Sequence, residues 1–332
     1  MTAAVADGAG AMRDFFVCDI FEASPKDDLG TMEHPVFSLA TRPDRTIRHY
    51  QHNGTRITVT PSVRGRATIH DKDILIYCIS QLMAALNAGR AVSRSLRLTA
   101  HDLLVATRRD TGGDSYARLV EAFERLAGTR ITTNMTTGGV EATSGFGLIE
   151  AWEIIRKTRG GRMISVTVTL SDWLFRAVLA KSVLTLSRDY FGLRKPLERR
   201  VYELARKHCG QQREWRIGLA LLHAKAGSDA PVRVFRAAIR KMIAADLLPD
   251  YALSEEPGDV IRITRRGLIE AVPGAPLFGA ETVELVRALA PGWDPYALEA
   301  EWQGFWARTG HPRLRAPQKA YLAWVRGRVA RG

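Results

Sequence analysis

The feature that most constrains the fold of this 332-residue chain is an order of elements that occurs twice. Residues 69–89 carry a helical apolar pattern, and two shorter helical segments and a pair of strand-like segments follow them. Three more helical segments occur over residues 195–247. In residues 250–266, apolar and polar side chains alternate on both sides of an "EEPGD" turn, which is typical of a β-hairpin. Three helices followed by a β-hairpin is the order of a winged helix-turn-helix, whose second and third helices form the turn pair.

This repeated order predicts an α+β fold with two tandem winged helix-turn-helix domains and a small C-terminal helical appendage. The repeat is one of architecture, since the two halves show no obvious similarity in sequence. The last part of the chain differs, because a Pro/Gly-rich segment precedes helical segments rich in tryptophan. The predicted units are a flexible N-terminal tail (1–30), a first winged-helix domain (31–185), a second winged-helix domain (186–270), and a linker with a Trp-rich helical C-terminal region (271–332).

Several shorter segments also receive an assignment. Three β-branched segments are predicted to form a small antiparallel sheet: residues 36–40, 46–54 and 55–62. Residues 136–145 are predicted to be the loop of a hairpin, and residues 182–193 a linker between the halves. Residues 215–227 are predicted to form a single helix, and Thr99 and Ser171 are predicted to cap helices at their N-termini.

The charge of the chain indicates its partner. It carries 48 Lys and Arg residues against 35 Asp and Glu residues, a formal net charge of +13, which is typical of proteins that bind nucleic acid. No apolar run reaches the roughly 18 residues of a membrane span, and the N-terminus does not resemble a secretory signal. Three cysteines lie far apart, which suits a reducing cytoplasm. We therefore expect a cytoplasmic protein associated with nucleoid or plasmid DNA and no membrane partner.

The motifs of several enzyme classes are absent from the sequence. The chain contains no GxxxxGK[ST] or HExxH motif, and its Gly-Gly pairs lack the context of a dinucleotide fold. His49 and His52 are three residues apart on a predicted strand, so they face opposite sides and do not form the metal motif of a nickase. His208 and Cys209 are adjacent, and two ligands do not make a tetrahedral site. We therefore expect no catalytic residue, metal or cofactor, and a protein that is not an enzyme.

The third helix of the second half separates apolar and basic residues. At 100° per residue, Phe235 and Ile239 fall on one stripe and the arginines on another. Residues 181–250 carry 15 Lys and Arg against 7 Asp and Glu, a local net charge of +8. A solvated basic helix is the alternative, but the third helix is where this fold places base contacts. The predicted DNA-contacting residues of this helix are Arg233, Arg236, Arg240 and Lys241.

Other elements carry further predicted contacts. On the third helix of the first half, Ser115, Arg118 and Arg125 share one side, and a DNA contact and a protein–protein contact there stay equally open. The charges on the first helix of the second half, Arg199 among them, are expected to face phosphate or solvent. The "EEPGD" tip is acidic and therefore a poor phosphate binder. The other predicted contacts with DNA are Lys195, Arg199, Lys225, Arg262 and Arg265.

The tryptophans of the C-terminal region allow two interpretations. They could stack on bases of a single strand. Trp302 and Trp306 stand at helical spacing, however, which favours a core or a partner-docking face.

Long stretches of the chain resemble the plasmid replication initiator protein A family of alphaproteobacterial plasmids. They are "RDFFVCDIFEASPKDDLGTMEHPVFSL", "RLAGTRITTN", "GFGLIEAWEI", "LSRDYFGLRKPLERRVYELARKHCG" and "LLPDY", and together they cover about residues 13–270. The resemblance implies a tandem winged-helix initiator that binds repeats (iterons) in double-stranded origin DNA, promotes origin opening and helps to recruit host replication proteins. It also implies self-association through the first winged-helix domain, and it supplies no catalytic residue.

Two other functions remain alternatives at this point. A transcription regulator could use the same fold, although no effector pocket or separate dimer domain is evident in the sequence. A helicase-loader-type adaptor could use the Trp-rich C-terminal region, through which host replication proteins are also expected to bind.

Overall fold

The computed structural model describes residues 15–20, 23–52, 54–137, 140–156, 163–210, 212–266, 275–276, 278, 280–290, 293 and 295–330. Its helices are α1 (Leu29–Glu33), α2 (Lys72–Asn87), α3 (Ala100–Ala106), α4 (Gly113–Gly128), α5 (Asp172–Leu179), α6 (Pro196–Cys209), α7 (Leu219–Ala226), α8 (Val232–Ala245), α9 (Ala280–Leu289), α10 (Pro295–Arg308) and α11 (Pro317–Val329). Its strands are β1 (Phe16–Val17), β2 (Lys26–Asp28), β3 (Arg48–His52), β4 (Thr55–Thr60), β5 (Ser95–Leu98), β6 (Arg130–Thr137), β7 (Val140–Gly147), β8 (Ile149–Arg156), β9 (Met163–Leu170), β10 (Val183–Thr185), β11 (Glu214–Gly218), β12 (Tyr251–Glu256) and β13 (Val260–Arg265).

The fold is a mixed α+β fold in which one order of elements repeats. In the first half, α2, β5, α3 and α4 precede the strand pair β8–β9, and in the second half α6, β11, α7 and α8 precede β12–β13. The strand pairing repeats as well, in the orders β5–β9–β8 and β11–β13–β12. The first half carries two additions: β1 pairs in parallel with β5, and the hairpin β6–β7 joins β3 and β4 in a second sheet.

Local signals in the sequence set several helix boundaries. Thr99 Oγ1 accepts a hydrogen bond from the backbone N–H of Asp102 at 3.1 Å, and Ser171 Oγ accepts one from Leu174 at 3.3 Å. Both predicted N-caps are therefore confirmed. Gly210, with φ at +42°, follows the last residue of α6, where a residue with a Cβ would be strained.

Apolar side chains of the described chain gather in three cores. The first lies among the sheets and helices of the first half, the second lies around α6 and α8, and the third lies within the C-terminal helices. Met32 and Ile76 belong to the first half of the sequence but pack in the second core. Helix α2 therefore contributes to the cores of both halves, since its Leu75 and Ile79 pack in the first core.

The C-terminal helices bury part of their aromatic residues. Trp302 is 2% exposed and Trp306 is 8% exposed. Trp302 packs beside Tyr321, with the ring centroids 5.4 Å apart. This placement supports a core role for these two tryptophans rather than stacking on bases. Within the described ranges, no helix combines the length and the apolar character that crossing a bilayer requires.

The prediction that residues 1–30 form a flexible tail is wrong for the part that the structure describes. Strand β1 pairs with β5, and β2 pairs with β10. The Asp27 side chain is fully buried, and it accepts a hydrogen bond from Lys72 Nζ at 2.6 Å. This distant partner, rather than any local pattern, anchors the segment. Residues 1–14 lie outside the described chain.

The structure also corrects two predictions about strands of the first half. Residues 36–40 form no strand, and a single isolated bridge joins Ser38 to Thr68. The other two predicted segments do pair, as β3 and β4. The predicted loop 136–145 is largely strand, because β6 and β7 pair continuously from Arg130–Gly147 to Thr137–Val140.

The predicted linker 182–193 is part of the fold. Strand β10 is followed by a 3₁₀ helix over Arg188–Gly192. Tyr190 in this helix is fully buried, and its hydroxyl donates a hydrogen bond to Glu203 at 2.7 Å.

The predicted single helix over residues 215–227 is wrong at its N-terminal end. Glu214–Gly218 forms strand β11, and helix α7 begins only at Leu219. Strand pairing prevails here because β11 extends along β13, with Ile217 buried and opposite Ile261.

Candidate nucleic-acid interface

Helix α8 exposes the basic face that its sequence predicts. The apolar stripe around Phe235 is buried, with Phe235 itself 1% exposed. Arg233, Arg240 and Lys241 are exposed, and Arg236 is half-buried. The separation into an apolar and a basic face is therefore confirmed, whereas contact of the basic face with DNA remains a prediction.

The acidic tip between β12 and β13 lies against this basic face. Arg240 donates from Nε and Nη2 to the two carboxylate oxygens of Glu255, at 2.7 and 3.0 Å. Arg236 donates to the carboxylate of Asp259. The hydrogen bonds from Arg240 lower the pKa of the Glu255 carboxyl, which is therefore ionised at neutral pH. Within the described chain, Arg233 has no carboxylate partner.

The remaining predicted contacts of the second half lie on different elements. Arg262 on β13 is half-buried, with Nε 3.4 Å from a carboxylate oxygen of Glu256. Arg265 stands at the end of the same strand and is half-buried. Lys195 precedes α6, has 72% of its side chain exposed, and lies 2.9 Å from Glu198. These residues lie on β13 or directly before α6, and none of them belongs to α8.

On α4, the side predicted to be a polar surface is partly internal. Arg118 is exposed and Ser115 is half-buried, but Ala122 is buried. Arg125 donates from Nε and Nη2 to the buried carboxylate of Asp71, at 2.7 and 2.9 Å. Its guanidinium is therefore used to hold α4 against the start of α2, which leaves Arg118 as the exposed arginine of this side.

Two predicted contact residues are inside the protein. The Arg199 side chain is 4% exposed and donates to Asp73 Oδ1 at 2.5 Å. The Lys225 side chain is 5% exposed and pairs with Glu33. The expectation that the charges of α6 face phosphate or solvent is thus wrong for Arg199. Its guanidinium is bound by Asp73 and by the backbone carbonyls of Leu193 and Phe191 in place of water.

A buried ion cluster between the two halves was not predicted. Lys72 Nζ lies 2.6 Å from Asp27 and 3.0 Å from Glu203, and all three side chains are 0% exposed. Arg200 adds a bond to Glu203 at 3.3 Å and donates to the carbonyl of Met32 at 2.9 Å. Burial would lower the pKa of Lys72, but the carboxylates outweigh it and raise that pKa, so the ammonium is charged.

One sequence signal could have revealed this cluster. Lys72 stands four residues before Ile76, so it extends an apolar stripe of α2 at helical spacing. Ile76 is fully buried, and Lys72 is buried with it.

Glu33 gathers basic side chains from two helices of the second half. Lys207 Nζ lies 3.1 Å and His208 Nε2 lies 3.2 Å from its carboxylate, and Lys225 binds it as well. Burial would raise the pKa of Glu33, but the neighbouring basic side chains of His208, Lys225 and Lys207 outweigh it and hold that pKa well below its usual range. The segment before residue 34 is thereby tied to α6 and α7.

The described residues offer no metal centre. Within the ranges that the structure covers, no three His, Cys, Asp or Glu side chains are grouped to hold an ion. Cys78 is buried, which raises the pKa of its thiol to about 12. Burial also raises the pKa of the Cys18 and Cys209 thiols, so these sulfurs are protonated rather than ligand-like thiolates.

Comparisons with known proteins place this fold in a family. The sequence profile described as "Replication initiator protein A" matches residues 26–253. A putative replication protein of Wigglesworthia glossinidia brevipalpis is 36% identical over 244 residues, which are 72% of this chain and 88% of the relative. The chain belongs to the replication initiator protein A family, whose members act in the initiation of plasmid replication.

A solved structure shares the fold at low sequence identity. The crystal structure of domains 2 and 3 of RctB superposes with a TM-score of 0.52 at 14% identity, over 71% of this chain and 95% of that chain. A second structure of RctB domains 2–3 has a TM-score of 0.46 at 15% identity, over 71% of this chain.

Proposed function

We propose that this chain initiates plasmid replication by binding repeated sequences in double-stranded origin DNA through two tandem winged-helix domains. The family membership supports the role in initiation. The repeated order of helices, strands and strand pairing supports the tandem arrangement. Origin opening and recruitment of host replication proteins are further parts of the proposal that rest on the family resemblance.

In this proposal each half supplies a turn pair of helices and a wing. Helices α3 and α4 form the first pair and β8–β9 the first wing, and α7 and α8 form the second pair and β12–β13 the second wing. The proposed first domain extends over residues 31–185 and the second over residues 186–270. We assign β1 to the first domain as well, because it pairs with β5 of that sheet.

The exposed basic face of α8 is the observation that carries the proposal. The N-terminal part of a recognition helix contacts base edges in the major groove. Arg233, Arg236 and Arg240 would reach guanine edges or phosphates, and Lys241 would bind phosphate. Glu255 would hold the guanidinium of Arg240 in a fixed orientation, which leaves its Nη1 donors for a base.

The proposal is tested by footprinting on cloned origin DNA. Protection of repeats in the origin, together with loss of plasmid replication on deletion of the gene, is the expected result. Protection confined to a promoter, with replication intact after deletion, would instead identify a transcription regulator of the same fold.

The remaining parts of the proposal concern the protein partners of this chain and its location in the cell. Self-association through the first domain follows from the family resemblance. Contact of host replication proteins with the C-terminal helices is proposed from the Trp-rich sequence of that region, which lies outside the residues that carry the resemblance. Leu285 and Phe305 in that region are each 42% exposed, which supports a docking role for part of it. The protein would act in the cytoplasm on plasmid DNA, without catalytic residues or cofactor of its own.

A further inference from the structure

A cleft of about 610 Å³ lies where the two halves meet. Six arginines line it, together with residues of α4, the start of α2 and the loop around residue 42. We call it the junction cleft. Its arginines are Arg42, Arg109, Arg118, Arg125, Arg194 and Arg199.

Three of these arginines are already paired with carboxylates at the floor of the cleft. Arg125 is bonded to Asp71, and Arg109 and Arg199 are bonded to Asp73, with Arg109 Nη2 2.9 Å from its carboxylate. Both carboxylates are buried. The floor is therefore a set of ion pairs in which three guanidinium groups share two buried carboxylates.

The other three arginines are free in the part of the chain that the structure describes. Arg42, Arg118 and Arg194 are exposed and make no side-chain hydrogen bond or ion pair with another described residue. They come from three separate elements: the loop before β3, helix α4, and the segment leading into α6. Two further carboxylates, Asp110 and Glu121, line the cleft, so six arginines face four carboxylates.

We propose that the junction cleft binds a phosphate group, held by Arg42, Arg118 and Arg194. Like charges that converge on one cleft repel one another, and an anion between them removes that cost. Guanidinium groups match the geometry of phosphate oxygens and donate to them bidentately. The cleft is lined by Arg, Asp, Glu, Thr, Ser, His, Ala and Pro, without a Phe, Tyr or Trp on which a nucleobase could stack.

This lining favours a phosphodiester of the DNA backbone over a free nucleotide. The inference rests on the proposed function, since α4 is the first proposed recognition helix. Arg42 and Arg118 belong to the first half and Arg194 leads into the second, so one bound phosphate would contact both halves. Backbone contacts fix the position and orientation of a protein on DNA without reading sequence. The cleft would therefore set the register of the two winged-helix domains relative to each other on one repeat.

The test compares the triple variant Arg42→Gln, Arg118→Gln and Arg194→Gln with a control of equal net charge. The control changes Arg176, Arg308 and Arg313 to Gln, which are exposed and lie outside the cleft and α8. Binding to a duplex with one origin repeat and to a random duplex is measured over a range of salt concentrations. We expect the cleft variant to lose affinity by the same factor on both duplexes, and its slope of log K against log salt to fall by about 0.9 for one lost phosphate. The control should retain the slope of the original protein.

A second arm distinguishes the source of the phosphate. Inorganic pyrophosphate is added and the unfolding temperature of each full-length protein is recorded. If pyrophosphate stabilises the original protein and not the cleft variant, while both bind DNA alike, the phosphate group is right and its assignment to DNA is wrong. The inference fails if the cleft variant matches the original protein both in DNA binding and in its response to pyrophosphate. It also fails if the variant loses affinity for the origin repeat but not for the random duplex. If the original protein does not bind origin repeats at all, the proposed function fails, and the pyrophosphate arm still tests the cleft.

Discussion

Helices α4 and α8 occupy equivalent places in the two halves and use their arginines in opposite ways. On α8, Arg240 is 60% exposed and meets Glu255 at the surface. On α4, Arg125 is 17% exposed and meets Asp71 inside the protein. The same order of elements thus turns one set of charges towards solvent and the other towards the fold. We expect sequence discrimination to come mainly from α8, and positioning from the first half.

The largest expected effect concerns the buried charges at the junction. Lys72→Met removes the ammonium group that pairs with Asp27 and Glu203, so these two buried carboxylates lose a shared cation. Loss of one partner of a buried pair costs about 3–5 kcal/mol, so the free energy of unfolding should fall by that amount. Urea denaturation measures it, and Lys319→Met, at an exposed position of α11, serves as the control. An unchanged midpoint would show that the cluster does not stabilise the fold.

The next effect concerns the base contacts proposed for α8. Arg236→Ala combined with Arg240→Ala should weaken binding to the origin repeat by about 1–3 kcal/mol per lost base contact, with a smaller loss on random DNA. Arg176→Ala is the matched control, because Arg176 is exposed and also paired, with Asp172 at 2.8 Å. Equal losses on both duplexes would reassign the two arginines to phosphate contacts, and no loss would place the basic face in solvent.

A crossed experiment tests the contrast between the helices directly. Arg125→Gln should lower the free energy of unfolding by about 1–3 kcal/mol, because the buried Asp71 carboxylate loses its hydrogen bonds. Arg240→Gln should change that free energy by less than about 1 kcal/mol, because exposed ion pairs contribute little. When affinity for the origin repeat is measured instead, Arg240→Gln should have the larger effect and Arg125→Gln the smaller one. The contrast breaks if both variants behave alike in both assays.

The junction cleft adds an effect between these extremes. The Arg42, Arg118 and Arg194 triple variant should lose the part of the salt dependence that one phosphate contact supplies, without losing sequence discrimination or stability, because these side chains have no partner in the described structure. If discrimination also falls, α4 reads bases, and the division of labour between α4 and α8 does not hold.

The smallest effect near neutral pH comes from two histidines beside the buried charges. Burial lowers the pKa of His34 and of His70 to about 4. An unfolded histidine has a pKa of about 6.5, so the unfolded state binds more protons between pH 6.5 and 4 and stability falls as the pH falls through this window. The expected loss from pH 7 to pH 6 is roughly 0.5–1 kcal/mol per histidine.

Thermal unfolding at several pH values measures this dependence. His70→Gln should flatten it, whereas His101→Gln, at a side chain that is 62% exposed, should not. A dependence that is the same in all three proteins would assign it to other groups.

The sequence predicted what periodicity and local chemistry determine. The buried stripe and the basic face of α8 follow from helical spacing, and the caps at Thr99 and Ser171 follow from side chains that bond their own helix. The burial of Arg199 and Lys225 could not be predicted in the same way. A charged residue on an amphipathic helix is assigned to solvent by default, and only carboxylates distant in sequence, Asp73 and Glu33, reverse that assignment.

The boundary errors have the same origin. Strand β11 was assigned to a helix because its apolar residues run directly into those of α7, and pairing with β13 decides otherwise. Strand β2 was assigned to a tail because nothing near it in the sequence indicates that Asp27 is buried beside Lys72. Local patterns therefore predict the elements that their own sequence stabilises, whereas contacts between distant segments determine strands such as β2 and β11 and which charged side chains are buried.

The ion cluster around Lys72 also limits which parts of this chain can be exchanged separately. Residues 26–33, α2 and α6 share one set of charges, so a hybrid that took its halves from two relatives would inherit mismatched partners. Helix α8 and the hairpin β12–β13 keep their ion pairs at the surface, and substitutions there leave the cluster untouched. Under the proposed function, changes at a few exposed residues of α8 would alter the origin sequence that is bound, whereas exchange of a whole half would also require exchange of residues 26–33.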